Sequence, residues 1–318
     1  MAHLTLLVLA LQGPLSSWVL RAEDGIRVVV DTNVKCEFPV TPPTPYIVPV
    51  GMPIRIIQEV KDGGDTSYVG YPAFAPNSAC KVPAAETAVF HKAEPDALVL
   101  TILDHILARA DVTFDEFVAV ENYLLDSDPK WKSEAGRKQV SGLLRFRWLQ
   151  LLSRALKTEG FNSPTPGGFS PPLVESWRIN HGDLLEIFGP SGDWYVPITH
   201  LWKVFESNKT APWAEELVWY VANLPVQHDE CEDVCVLAGY IEQRVLQYWT
   251  HFPTGPHIVE ALTHASQQIQ GVASGDCESK DDEIKLVAEI RRSLSKVTNP
   301  AKRAILNSLA EIEHKCAK

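Results

Sequence analysis

Between Gly25 and about Lys92 the apolar positions come in short β-branched or aromatic runs cut by proline and glycine. Ile26–Val30, Tyr46–Val50, Ile54–Val60 and Tyr68–Tyr71 each read as a strand, because such residues fit a pleated, half-buried surface. Phe38–Pro45 (FPVTPPTP) is a long loop, and Lys61-Asp62-Gly63-Gly64-Asp65 is a tight hairpin turn whose glycines supply positive φ. Four or five strands in so short a stretch predict a small barrel over 23–92.

After Pro95, placed where a proline opens a helix, the period changes from two to 3.6. Leu98, Ile102, Leu103, Ile106 and Leu107 share one helical face. Thr113-Phe114-Asp115-Glu116 is a capping box, in which hydroxyl and carboxylate satisfy each other's orphan amides, and Phe117, Val120, Tyr123 and Leu124 continue it as a buried stripe. Val140, Leu143, Leu144, Trp148, Leu151, Leu152 and Ala155 mark a third helix, so 93–161 reads as a helical segment. The proline- and glycine-rich stretch that follows propagates neither helix nor sheet, and 162–173 reads as a linker.

Leu184–Phe188, Gly189-Pro190-Ser191-Gly192 and Asp193–Pro197 predict a β-hairpin, with helices from Thr199 to the end. Trp202–Ala222 and Leu246–Ser266 resemble each other at an offset of 44 residues, with Pro212 and Glu216 recurring as Pro256 and Glu260. Helix-turn-Pro-helix units of this kind are the building blocks of stacked αα-hairpins, although the tetratricopeptide repeat itself has a period of about 34. The expected fold class is α+β: a small β-barrel, then a mainly α-helical region over 174–318 that contains one short hairpin.

Composition narrows the function. With 318 residues and 45% hydrophobic content the chain can bury a substantial core, which excludes disorder. Twenty-nine basic against forty acidic residues leave no positive excess for a phosphate backbone, so nucleic acid is not an expected partner. The apolar run Leu4–Leu11, broken by Gly13-Pro14, is too short to span a bilayer but fits the core of a cleaved leader over 1–22. The expectation is a secreted or periplasmic protein without a stable membrane span.

Export gives the six cysteines meaning. The turn Thr298-Asn299-Pro300 lies midway between Cys277 and Cys316, so antiparallel helices on either side bring these two thiols to one open end, where a disulfide would close the hairpin. Cys231 and Cys235 are four apart, a spacing that permits a local bridge pinning a helix start; the alternative, a metal site with neighbouring His228, Asp229 and Glu230, lacks a distant second pair of ligands. Cys36 and Cys80 would then tie the first and last strands of the barrel. No metal, cofactor or catalytic residue is assigned.

No nucleophile elbow, metallopeptidase helix, phosphate-binding loop or dinucleotide fingerprint occurs in the chain. His105 on its amphipathic helix reads as a surface or satisfied histidine and not as a base, which would need a positioned partner. Trp177, Trp194, Trp202, Trp213 and Trp219 could line a groove, but their apolar neighbours favour core packing. Asn208-Lys209-Thr210 is a glycosylation sequon, meaningful only in a eukaryotic secretory pathway.

Three passages, Val28-Val29-Val30 leading to Asn33-Val34-Lys35, Val50-Gly51-Met52-Pro53 before Ile54–Ile57, and Ser78–Pro83, resemble a bacterial SH3-like domain. Pro212–Trp219 through Cys231 to His257 is similar to uncharacterised exported bacterial proteins that join such a module to a TPR-like helical region. The resemblance implies a non-enzymatic binding or scaffold protein of the cell envelope. Its SH3-like module would recognise a peptide or cell-wall fragment through Tyr46, Tyr68 and Tyr71, and its helices would contact protein partners. The alternative is an envelope hydrolase with a site around His181, Asp183, His200 and Glu216.

Overall fold

The computed structural model describes residues 26–37, 45–90, 95–158, 172–188, 193–224, 246–277 and 279–317. The expected leader, the pair Cys231 and Cys235, and the proline-rich segments before Pro45 and Pro172 lie outside the described residues. The rest is α+β and divides into two compact units, one running to Gly182 and one from Asp183 onward.

The first unit opens with seven antiparallel strands: β1 (Ile26–Val29), β2 (Val34–Glu37), β3 (Pro45–Val48), β4 (Pro53–Asp62), β5 (Asp65–Pro72), β6 (Cys80–Pro83) and β7 (Thr87–Val89). They form one sheet in the order β3-β2-β6-β5-β4-β1-β7, and a 3-10 turn, Ala84–Glu86, precedes β7. In the β4–β5 turn Gly63 and Gly64 take φ 57° and 107° between the paired Asp62 and Asp65, as the sequence predicts. Val29, Val34, Cys36, Val48, Ile54, Cys80 and Val82 make the buried cluster on the inner face. A disulfide joins Cys36 on β2 to Cys80 on β6. The expected strands of Cys36 and Cys80 are the second and sixth, β2 and β6, which pair with one another and each with the adjoining strand β3 or β5, whereas the three-residue β7 pairs with the distant β1 and leaves no alternating run to read.

Helices α1 (Pro95–Leu107), α2 (Phe114–Ser127), α3 (Glu134–Arg137), α4 (Gly142–Thr158) and α5 (Pro172–His181) complete the unit. The capping box forms as expected: Thr113 accepts from the Glu116 amide and the Glu116 carboxylate accepts from the Thr113 amide. Gly51 links sheet to helix. It sits at φ +79°, and a Cβ there would fall 2.1 Å from the Tyr123 ring of α2. Among the described residues the change of unit comes after Gly182, while the predicted linker 162–173 lies almost wholly outside them. The reason is α5, whose buried Val174 and Trp177 give it an apolar face, with Trp177 packed edge-on against Phe114 and Phe117 of α2.

The second unit starts with the predicted hairpin, β8 (Glu186–Phe188) and β9 (Asp193–Tyr195). Among the described residues six helices follow: α6 (Ile198–Glu206), α7 (Ala214–Ala222), α8 (Leu246–His251), α9 (Ile258–Ser274), α10 (Lys280–Ser293) and α11 (Lys302–Cys316). The 44-residue likeness is structural. The turn bonds Ala211 N to Asn208 O, Ala214 N to Ala211 O and Leu217 N to Trp213 O recur as Gly255 N to Phe252 O, Ile258 N to Gly255 O and Ala261 N to His257 O. A third copy, missed in the sequence, follows at the same offset: Pro300 succeeds Pro212 and Pro256, and Lys302 N bonds to Asn299 O. Leu217, Ala261 and Ile305 occupy one fully buried position of the copies, and Val221, Ala265 and Leu309 another.

The last hairpin, α10 with α11, is closed by the expected Cys277–Cys316 disulfide, with Cα atoms 5.4 Å apart. Lys315 clips the same end: its Nζ donates to the carbonyls of Val272, Gly275 and Asp276 at 2.7–3.2 Å. A cation among the orphan carbonyls at the end of α9 is favoured by the helix dipole. Among the described residues no helix is long and apolar enough to cross a membrane.

Candidate functional site

Strand registers decide where the three tyrosines point, because directly paired residues share a sheet face and neighbours along a strand alternate. Tyr46 pairs with the buried Cys36, and Tyr68 pairs with the buried Val82, so both belong to the inner face. Tyr71 pairs with Arg55 and lies on the outer face, where the Arg55 guanidinium covers its ring at 5.3 Å. The structure therefore does not gather Tyr46, Tyr68 and Tyr71 into one surface. Tyr68 packs against the core cluster, capped by the Arg27 guanidinium 4.6 Å from its centroid.

Tyr46 is different. It lies on β3, an outermost strand, and remains 40% exposed while its ring meets that of Phe74 at a tilt of 36°, with centroids 4.6 Å apart. Ile47 beside it is 55% exposed. Phe74 escaped sequence reading because it follows β5 in a turn, outside any alternating run. An aromatic pair at an edge strand offers apolar contact surface next to main-chain donors and acceptors, which suits an extended ligand.

A second concentration of chemistry lies between the sheet and helices α1 and α2. Asp31 accepts from Arg109 at 2.8 Å through Oδ1 and meets His105 Nε2 at 3.2 Å through Oδ2. The buried Glu116 uses its Oε2 for the capping box, while its Oε1 accepts from Thr32 at 2.5 Å and Asn33 at 3.1 Å and pairs with Arg109 at 2.8 Å. Asn33 adopts φ 62°, which asparagine tolerates, and this turns its amide toward the helix. His105 is thus not a lone histidine, since its partner is 74 residues away.

Charge is distributed unevenly in this cluster. Burial alone would raise the Glu116 pKa, but the bonds from Thr32, Thr113 and Arg109 outweigh it and hold the carboxyl below its ordinary range. Glu86, on the 3-10 turn, is pushed the other way, first by burial and then by the charge of Asp31, with His105 and Arg109 partly offsetting both. The carboxylates of Asp31 and Glu116 are taken up by these bonds. The cluster therefore acts as a lock between sheet and helices, and its alignment offers no activated nucleophile.

The residues considered for hydrolysis are spread over both units. His181 ends α5 in the first unit, with its ring nitrogens at Trp177 and Glu121. In the second unit His200 is buried on α6 and Glu216 is exposed on α7; the Asp183 side chain lies outside the described residues. Cys277, Glu283 and Cys316 approach one another closely, but two sulfurs joined in a disulfide offer no thiolate to a metal. Trp177 is core, as expected. Trp219 is half-buried and stacks on His257 at 4.5 Å, which joins the first and second helical copies. Tyr248 fills the same seam. Its hydroxyl donates to Glu215 at 2.5 Å and accepts from the His257 amide, and occupies space that a Cβ at Gly255 would need. Burial first, and then this bond to Glu215, raise its pKa.

Comparison with known proteins returned no match to any family model, any curated protein or any solved structure.

Proposed function

We propose that this chain is an exported, non-enzymatic binding protein in which an SH3-like module recognises a peptide or cell-wall fragment and a helical scaffold contacts protein partners. The SH3-like reading is supported by the strand order, with β1 between β4 and β7, by the β2–β3 hairpin inserted between β1 and β4, and by the 3-10 turn before β7. The scaffold reading is supported by three αα-hairpins in 44-residue register. That period departs from the tetratricopeptide value of about 34 and lies within the roughly 40–47 of HEAT and armadillo repeats, so the scaffold is TPR-like in being built of helical hairpins and not in period. The disulfides seen among the described residues, Cys36–Cys80 and Cys277–Cys316, suit an oxidising compartment outside the cytosol.

The observation that carries the binding surface is the exposed Tyr46 ring on the edge strand β3, backed by the half-buried Phe74. Tyr46→Ala and Phe74→Ala should each weaken co-sedimentation with purified peptidoglycan, or binding of extended proline-rich peptides, by about tenfold, the worth of one aromatic stack. Tyr71→Ala, on the opposite face, should bind as the parent does. Undiminished binding by the first two variants would remove this edge as the recognition surface.

A further inference from the structure

The two sulfurs of the Cys277–Cys316 disulfide stand in unlike surroundings. Cys316, the last residue of α11, is 4% exposed, whereas Cys277, in the turn before α10, is only half-buried. Thiol–disulfide exchange begins with a thiolate attacking one sulfur and expelling the other, so access decides which of the two is attacked. An incoming thiol can reach Cys277 and not Cys316.

The buried sulfur also has a carboxylate against it. Glu283, in the first turn of α10 and only 1% exposed, places Oε2 3.4 Å from Cys316 Sγ, and its carboxylate lies within 4.8 Å of both sulfurs. Lys315 Nζ is 3.3 Å from the same oxygen and is anchored by the carbonyls of Val272, Gly275 and Asp276, so carboxylate and ammonium are both held in place. Lys315 offsets part of the charge, but Glu283 is the group that touches the sulfur. Negative charge forming on Cys316 beside a buried carboxylate is disfavoured, because little water is there to screen the two.

We infer that Cys277–Cys316 is a one-sided redox lock: thiols enter only at Cys277, and Glu283 slows the step in which Cys316 leaves. In that step the incoming thiolate bonds to Cys277 Sγ, the bond between the two cysteines breaks, and its electron pair departs on Cys316, which then takes a proton from water. A second thiolate attacks the sulfur of the first thiol and releases Cys277, so two thiols are oxidised to a disulfide as the protein disulfide is reduced. Closure passes through the same transition states in reverse. The carboxylate therefore slows both directions, and the last hairpin changes redox state slowly. The lock is independent of the ligand assigned to the β3 edge.

The test incubates the full chain with reduced glutathione, quenches with acid, alkylates the freed thiols and maps the peptides by mass. Glutathione should be found on Cys277 with Cys316 alkylated, while Cys36 and Cys80, 0% and 1% exposed, stay joined. Glu283→Gln, which keeps the size and removes the charge, should raise the opening rate by about threefold to tenfold. It should raise by a similar factor the rate at which the Cys277 adduct closes once free glutathione is diluted away. This pairing separates charge from looseness, because a hairpin end that had merely loosened would open faster and close more slowly. Glu283→Asp, which keeps the charge but draws it back by one methylene, should fall between the parent and Glu283→Gln in both rates. Glutathione on Cys316, or any result for Glu283→Gln and Glu283→Asp other than acceleration in both directions, overturns the lock.

Discussion

The two units each contain a disulfide that spans about forty residues, with sequence separations of 44 and 39, yet they are assembled on opposite principles. In the first, the decisive contacts join residues far apart: Asp31 with His105, Thr32 with Glu116, Glu121 with His181. In the second, three copies of one helical hairpin stack on their sequence neighbours, as in repeat proteins whose stability is nearly a sum of nearest-neighbour terms. The difference teaches how each unit sets its register, since both bury a carboxylate, Glu116 in one and Glu283 beside Lys315 in the other. A sheet that must dock on helices needs direction as well as burial, and the Asp31–Arg109–Glu116 bonds supply it; hairpins of one recurring pattern obtain their register from repetition.

The largest effect that can break this comparison comes from the disulfides. Cys36→Ala/Cys80→Ala and Cys277→Ala/Cys316→Ala should each cost about 4 kcal/mol by loop-closure entropy. Amide exchange should localise the loss, with β2 and β6 opening in the first case and α9 to α11 in the second. Uniform loosening of the whole chain in both variants would show that the units do not behave separately.

A smaller effect sharpens the role of interior charge. Glu116→Gln should destabilise the first unit by about 2 kcal/mol, since it weakens three charge-assisted bonds at a buried site. Because the Glu116 pKa is lowered by folding, its stabilisation is present above the ordinary carboxylate range and is lost as pH falls through its lowered value. Glu86 has the opposite sign: its pKa is raised, so it penalises folding as pH climbs from the ordinary range through the raised value. Thermal melts from pH 3 to pH 7 should therefore show a flatter acid limb for Glu116→Gln and a gain near neutrality for Glu86→Gln.

The smallest effect tests the repetition. Pro212→Ala, Pro256→Ala and Pro300→Ala should each cost under about 1 kcal/mol, mainly through the freedom each proline removes from the unfolded chain. Denaturant titration should find the three nearly equal. One proline far costlier than the others would mean that the copies are not equivalent.

Legibility in the sequence follows the same division. The Gly63-Gly64 turn, the Thr113–Glu116 capping box and the closure of the final hairpin were readable because each depends on residues a few positions apart, or on two helices of equal length about one turn. The third helical copy was hidden because the aromatic signature of the first two is absent there, although Pro300 keeps the spacing. Phe74, the partner that makes Tyr46 a platform, was hidden because a turn residue has no period to betray it. Helix α5 was hidden by the proline-rich composition before it, although Pro172 is well suited to opening a helix.

By itself, then, the sequence determined the longer strands and helices, the Gly63-Gly64 turn, the cap of α2, which thiols meet across the last hairpin, and that hairpins recur. Only the tertiary structure decided which side of the sheet each tyrosine faces, that His105 and His181 have carboxylate partners, and that α5 belongs with the first unit. The physical reason is range. Caps, turns and helical faces are settled by neighbours within one or two turns of chain, whereas strand register and buried ion pairs depend on which distant surface arrives to exclude water.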